Sequence, residues 1–414
     1  MTTLPAPTLS WFPLVPRPRP PGLPLATRID QLRDLADQPG IGSLIEQLTQ
    51  AAEICNKSAL IASDCGLPDL ARSLCWSQHQ LFDHARPLPA SAAKLALQPL
   101  LNIPRQLIRE GDGDGAHAML EALFHTARHR IDTVINGRTV SLRNLTCAPD
   151  DHKTVCTLVW AALLADGTRA LAQAGRWKQA AERSAAHRGV GSRLLDGRQI
   201  TILAQLQNGQ VDEATTLVEQ STVPEPWERA VQSLLRVLCQ RAAGAHAEAD
   251  TEAMLTAVLT LMKQPDPATT VFRNRLGLAA VDLADACGTP RQSQLRHTLI
   301  DAAQHDAYAA RDTLAHPLIH PVITAAQRRD LTDLIHASGL DTGTIPQPLL
   351  SDLAAAVSAA EHRLRTLLEG SQRDRPGITG AWVGAGPPSR SDSCTASRTS
   401  AGASRPADTP PDRT

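Results

Sequence analysis

The chain has 414 residues, a net charge of −1 from 41 Lys and Arg against 42 Asp and Glu, and 3% aromatic residues with a single Tyr. Its length admits two or three globular domains or one array of stacked repeats. Charge near zero, with no basic run longer than Arg328-Arg329, excludes nucleic-acid binding by bulk charge, and the aromatic-poor composition led by Ala and Leu disfavours an all-β fold.

Met1 to Pro24 is Pro-rich, and Pro16-Arg17-Pro18-Arg19-Pro20-Pro21 predicts an extended or disordered arm over residues 1–24. It reads either as a flexible leader or as a segment that a partner's aromatic groove takes up. Helical periodicity starts after Leu25. Leu44, Leu48, Ala51, Ala52, Cys55, Ala59 and Ala62 form one stripe, which ends at Cys65-Gly66-Leu67-Pro68. The next helix runs through Leu70, Leu74, Ser77 and Leu81, with Gly66 suited to a left-handed cap and Pro68 to a first turn. Ala92 to Ile108 is helical in pattern, but Pro99 and Pro104 predict a kink or a break. After the turn Glu110 to Gly115, Met119, Leu120, Leu123 and Ala127 mark the returning helix. Val134-Ile135-Asn136-Gly137-Arg138-Thr139-Val140 places Asn-Gly between β-branched residues and predicts a two-stranded ribbon near residues 133–142, supported by the helices.

The central stretch repeats. Helix, glycine turn and helix recur at Ala174-Gly175-Arg176-Trp177, Asn208-Gly209-Gln210-Val211 and Ala243-Gly244-Ala245-His246, with Gly175 and Gly209 34 residues apart and Gly244 35 further on. Gly288, 44 residues later, turns a fourth pair. After Pro317 and Pro321, two or three more helices carry Leu331, Leu334, Ile335, Leu353, Val357, Leu364 and Leu368, the last acting as a cap. From Gly370 onward too little apolar surface exists to offset chain entropy, so 371–414 is expected to be a disordered tail.

Leu206-Gln207-Asn208-Gly209-Gln210-Val211-Asp212-Glu213-Ala214 resembles the turn of a tetratricopeptide repeat, as does Leu171 to Ala180 and, less closely, Ser63 to Ala71. The family's early aromatic and Gly positions and its closing Pro are mostly missing. The chain also resembles actinobacterial helical-repeat proteins and the sensor halves of bacterial regulators, although no helix-turn-helix precedes the repeats. The resemblance implies an all-α, tetratricopeptide-like right-handed solenoid over residues 25–370 with the ribbon inserted. It further implies a concave face built from the first helix of each pair. Alignment on the turn glycines puts Glu53, Asn56, Arg169, Gln173, Asp196, Gln199, Arg275, Asp282 and Asp285 on that face. Such a polar, mixed-charge groove suits a peptide whose main-chain amides need partners.

His125 and His129, and His316 and His320, have the i, i+4 spacing of zinc ligands, without an accompanying HExxH. Cys75, His79 and nearby His84 read as core packing, Asp112, Asp114 and Glu121 as an acidic turn without the calcium-loop pattern, and Asp150-Asp151-His152 as a helix start. No P-loop, dinucleotide fingerprint or nucleophile elbow occurs. The expectation is a non-catalytic, cofactor-free scaffold or adaptor holding a protein or peptide. The alternatives are a ligand-sensing subunit beside a separate DNA-binding protein, or an enzyme of unfamiliar kind. Eight scattered Cys read as reduced thiols, 36 of the 41 basic residues are Arg as in high-GC bacteria, and no apolar stretch nears the ~18 residues that span a bilayer. A cytoplasmic location without membrane contact is therefore expected.

Overall fold

At six glycines that follow an apolar helical stripe, the backbone turns left-handed and the chain reverses. Gly66, Gly111, Gly175, Gly209, Gly244 and Gly288 all have φ between 56° and 85°, a region that costs L-residues with a Cβ. At the first five, one hydrogen-bond pair recurs. At Gly209, for example, the glycine N–H reaches Leu206 O at 3.1 Å and the next N–H, Gln210, reaches Gln205 O at 2.9 Å. This is the Schellman closure, and it satisfies carbonyls that a helix end otherwise leaves bare.

The structure is a computed structural model that describes residues 11–373 apart from residues 39, 246–247, 265 and 286–287. The first ten residues, Cys287, Cys394 and the tail from residue 374, expected to be disordered, lie outside it. The described residues up to Gln372 belong to one compact unit. They hold sixteen helices and one two-stranded sheet. The helices are α1 (Leu25–Asp37), α2 (Leu44–Asp64), α3 (Pro68–Leu81), α4 (Ala90–Arg109), α5 (Gly113–His129), α6 (Pro149–Gln173), α7 (Trp177–Ala186) and α8 (Asp196–Gln207). They continue as α9 (Val211–Glu219), α10 (Pro226–Ala242), α11 (Glu248–Met262), α12 (Thr270–Leu283), α13 (Pro290–Ala303), α14 (Ala307–Ala315), α15 (Ala325–Ser338) and α16 (Gln347–Arg373). The fold is all-α with one small antiparallel ribbon.

Consecutive helices pack as hairpins, α2 on α3, α4 on α5, α6 on α7, α8 on α9, α10 on α11, α12 on α13 and α14 on α15. First helices also touch the first helices of neighbouring pairs, α2 with α4, α4 with α6, α6 with α8, α10 with α12 and α12 with α14. One apolar core joins α1 to α5, the ribbon, the first half of α6 and α16, and a second runs from the end of α6 to α13. The final helix returns to the beginning. Leu353, Ala356, Ala360, Leu364 and Leu368 are buried in the first core, and Arg363 donates to Ala36 O and Gln38 O, both at 2.9 Å. Just before it, the Asp341 and Gly343 amides bond Asp64 O and Cys65 O at 2.8 Å each, at the end of α2.

The ribbon forms as expected, β1 (Asp132–Ile135) pairing β2 (Arg138–Ser141) through Asn136 and Gly137, both at positive φ. Its Ile135 and Val140 are buried against the helical core, which supplies the support so short a pair needs. Three expectations need correction. Helix α4 runs unbroken through Pro99 and Pro104, each costing about 3 kcal/mol in an isolated helix; burial of ten of its residues between α2, α3, α5 and α6 offsets that loss. The buried line of α3 is Ala71, Cys75, Trp76, Gln78 and His79, one position off the expected stripe. Helix α6 is long and apolar enough to span a bilayer, with a mean hydropathy of 1.4 over 18 residues. Its burial against α4, α5, α7 and α8 accounts for that composition as core packing.

Candidate functional site

Residues 12–24 form no helix or strand, in keeping with their prolines, and they lie against the helices. Trp11 stacks near His316 with ring centroids 5.5 Å apart, and Phe12 and Leu14 are buried in the second apolar core. Beyond them the contacts become those of a bound peptide. Arg169 of α6 donates to the main-chain carbonyls of Val15 at 3.1 Å and Pro13 at 3.4 Å. The Arg19 amide donates to Ala268 O at 2.9 Å, and the Gly22 amide donates to the Asp306 carboxylate at 2.9 Å, while Gly22 O accepts from the Ala307 amide. A Cβ on Gly22 would meet Ala307 N at 2.9 Å and the Tyr308 ring at 3.0 Å, so only glycine lets the segment approach α14 this closely.

The two arginines of the arm fix its centre. Arg17 sits between Asp166 at 3.6 Å and Asp196 at 2.9 Å. Asp166 lies in a π turn, Leu163–Gly167, that interrupts α6 three residues before Arg169. Such turns re-aim side chains and recur at functional positions. Arg105 of α4 holds the other oxygen of Asp166 at 2.8 Å, donates to Asn102 Oδ1 at 3.1 Å, and Asn102 in turn donates to Asn56 of α2 at 2.8 Å. A continuous set of polar contacts thus links α2, α4, α6 and α8 through Arg17 of the arm. Further along the arm Arg19 bonds Asp64 at 2.7 Å and lies over Tyr308, 3.5 Å from the ring centroid. Asp64 also accepts from Arg28 of α1 at 2.7 Å and from the Tyr308 hydroxyl at 2.5 Å.

The acids at the two ends differ in electrostatics. Burial alone raises the Asp64 carboxyl, but Arg19, Arg28, Arg109 and the Tyr308 hydroxyl outweigh it and hold the group below the usual carboxylate value. At Asp196 burial wins. Arg17 and Arg169 offset it only in part, the neighbouring Asp166 adds repulsion, and the carboxyl is raised. Asp196 Oδ1 makes no hydrogen bond, with Arg169 at 3.8 Å. Burial lowers Arg169, and burial pushes the Tyr308 phenol up to about 12.

Of the residues the sequence nominated, Asn56, Arg169 and Asp196 join this network. Arg275 pairs with Asp312 at 2.9 Å, close enough to Arg169 to influence it. Asp282 approaches the fully buried His316 at 3.1 Å, too obliquely for a hydrogen bond, beneath Trp11. The other four lie elsewhere. Gln199 is buried and donates to Leu194 O at 2.6 Å, Glu53 pairs with Lys57 on the surface, Asp285 pairs with Arg296, and Gln173 is exposed. They stand apart from the network because alignment on turn glycines fixes helix register but not which arc of the helix the neighbours leave open. The reading missed Asp64, Arg105, Asp166, Asp306 and Tyr308. The Arg17-Pro-Arg19 spacing, together with the lone Tyr, was the signal that could have found them.

The remaining candidates resolve individually. His320 pairs with Arg328, not with His316. Cys75 accepts from Gln106 and His79 Nδ1 lies 2.7 Å from Ala96 O. Asp112 caps α5 through the Gly115 amide, and Asp151 caps α4 rather than its own helix, accepting from Ala90 N at 3.1 Å. Among the described residues no group of three or more His, Cys, Asp or Glu is arranged to hold a metal ion. Compared with protein-family models, with curated proteins and with solved structures, the chain matches none of them.

Proposed function

We infer that this is a non-catalytic, tetratricopeptide-like solenoid that holds an extended segment of a protein or peptide partner along the inner faces of its first helices, in a regulatory or assembling role in a bacterial cytoplasm. One observation supports this above the others. The groove already grips an extended chain by its main chain, through Arg169 on the Pro13 and Val15 carbonyls and through Ala268 O and Asp306 on the Arg19 and Gly22 amides. Main-chain bonds supply affinity for an extended peptide, and side-chain pockets supply selectivity. The hairpin succession and the recurrent glycine closure favour the solenoid. Cys55, Cys65, Cys75 and Cys239 are free and buried, which fits a reducing compartment.

The test is affinity capture with quantitative mass spectrometry, comparing the wild type with Arg169→Glu and with the outer-face control Lys178→Glu. A partner retained by Lys178→Glu and depleted at least fivefold by Arg169→Glu supports the groove as its site. Equal recovery on all three proteins refutes it.

A further inference from the structure

Building on the peptide-binding reading above, the geometry points to residues 11–23 being a tethered stand-in for the true ligand. The arm keeps the groove closed until an extended, proline-broken peptide with two arginines two residues apart displaces it. Three features of the groove support this assignment.

The acidic side chains of the groove each have a partner besides the arm. Asp64 keeps Arg28 at 2.7 Å and the Tyr308 hydroxyl, Asp166 keeps Arg105 at 2.8 Å, and Asp196 keeps the more distant Arg169 at 3.8 Å. Release of the arm therefore strips no buried carboxylate of every cation, the loss that makes breaking a buried pair most costly. The lining nevertheless demands a cation. Asp196 takes its only hydrogen bond from a guanidinium from Arg17, its second oxygen has none, and Asp166 sits across the same guanidinium. A vacated groove would call back an arginine at that point, and a second one two residues on would meet Asp64 and the Tyr308 face.

The arm is also an imperfect occupant. Leu14 is held at a φ of 55°, a conformation few side-chain-bearing residues adopt. Prolines at 13, 16, 18, 20, 21 and 24 stiffen the segment and lower the ordering cost of binding, an advantage any proline-broken competitor shares. What favours the arm is attachment. It leads straight into α1 at Leu25, which gives it an effective concentration in the millimolar range or above.

The experiment uses the full chain and a fluorescein-labelled peptide of residues 11–24, followed by anisotropy. Arg17→Glu/Arg19→Glu sets the tethered arm against Asp64, Asp166 and Asp196. It should bind the free peptide at least tenfold tighter than the wild type does, and should ignore a peptide with both arginines replaced by Glu. Adding Asp196→Asn should weaken that binding at least fivefold. Should the double variant fail to fold by circular dichroism, the wild type decides. Millimolar free peptide should accelerate deuterium uptake at the Arg19 and Gly22 amides at least fivefold, because both lose their acceptors on displacement. Unchanged uptake overturns the proposal, as does a folded double variant that binds the peptide no better than the wild type. In that case, other extended peptides binding the double variant would leave the peptide-groove reading standing. If uptake shows the arm released and yet no peptide of any sequence binds, the peptide-groove reading falls instead.

Discussion

Asp64→Asn removes the charge from a buried carboxylate that accepts from two arginines and a tyrosine. Asp64 is 4% exposed and accepts from Arg28, Arg19 and Tyr308 at 2.7, 2.7 and 2.5 Å. A hydrogen bond to a charged group contributes about 1.5–3 kcal/mol, and Asn keeps one accepting oxygen while turning an N–H₂ toward donors. Arg28, 6% exposed, then loses its counter-charge, and breaking such a buried pair costs about 3–5 kcal/mol. The expected loss is therefore about 3–5 kcal/mol, measured by urea unfolding followed by circular dichroism. Replacing both buried partners, Asp64→Leu with Arg28→Met, should recover about half of it, since no fully buried charge is then left bare and Arg19, a quarter exposed, can turn to solvent. The pH dependence follows from the depressed Asp64 value. The contribution is complete above the unfolded carboxylate value of about 3.9 and is lost as pH falls through the lower folded value. Wild type and Asp64→Asn should consequently converge in acid. A variant within 1 kcal/mol of the wild type at pH 7, or parallel curves down to low pH, refutes the reasoning.

Ala180→Trp and Ala214→Trp should each destabilise by about 1–3 kcal/mol or more, because both alanines are fully buried between the helices of their pairs; unchanged melting temperatures would contradict the helix register. Gly209→Ala, at a φ of 77° with open space around its Cβ, should cost about 1 kcal/mol from conformation alone. Gly191→Ala, equally open but without positive φ, should be neutral in the same thermal melts. Burial lowers His79 and keeps it neutral in the fold, so stability should decline as pH drops below about 6.5, where the unfolded imidazole takes up a proton. His79→Gln should flatten that limb in denaturant titrations across pH 5–8.

The succession of helical pairs could be read from the chain because it is written locally. Apolar side chains recur at 3.6-residue spacing, Gly175, Gly209 and Gly244 supply the left-handed closures, and Asn136-Gly137 sets the ribbon turn. Each of these is decided within a dozen residues. The helix in α4 despite two prolines, the burial of Trp76 on α3 and the return of α16 to the first hairpins were decided by neighbours far along the chain. The same holds for the groove. Arg17 and Asp196 are 179 residues apart and Tyr308 and Asp64 are 244 apart, and each side chain alone is an ordinary polar group. Only the packing of helices distant in sequence brings Asp64, Asp166 and Asp196 around the arm, and their burial there makes the loss of a partner costly. Periodicity and the turn glycines therefore determined most helices and their turns; the continuity of α4, the buried line of α3 and which charges are forced together out of water were left to the tertiary fold.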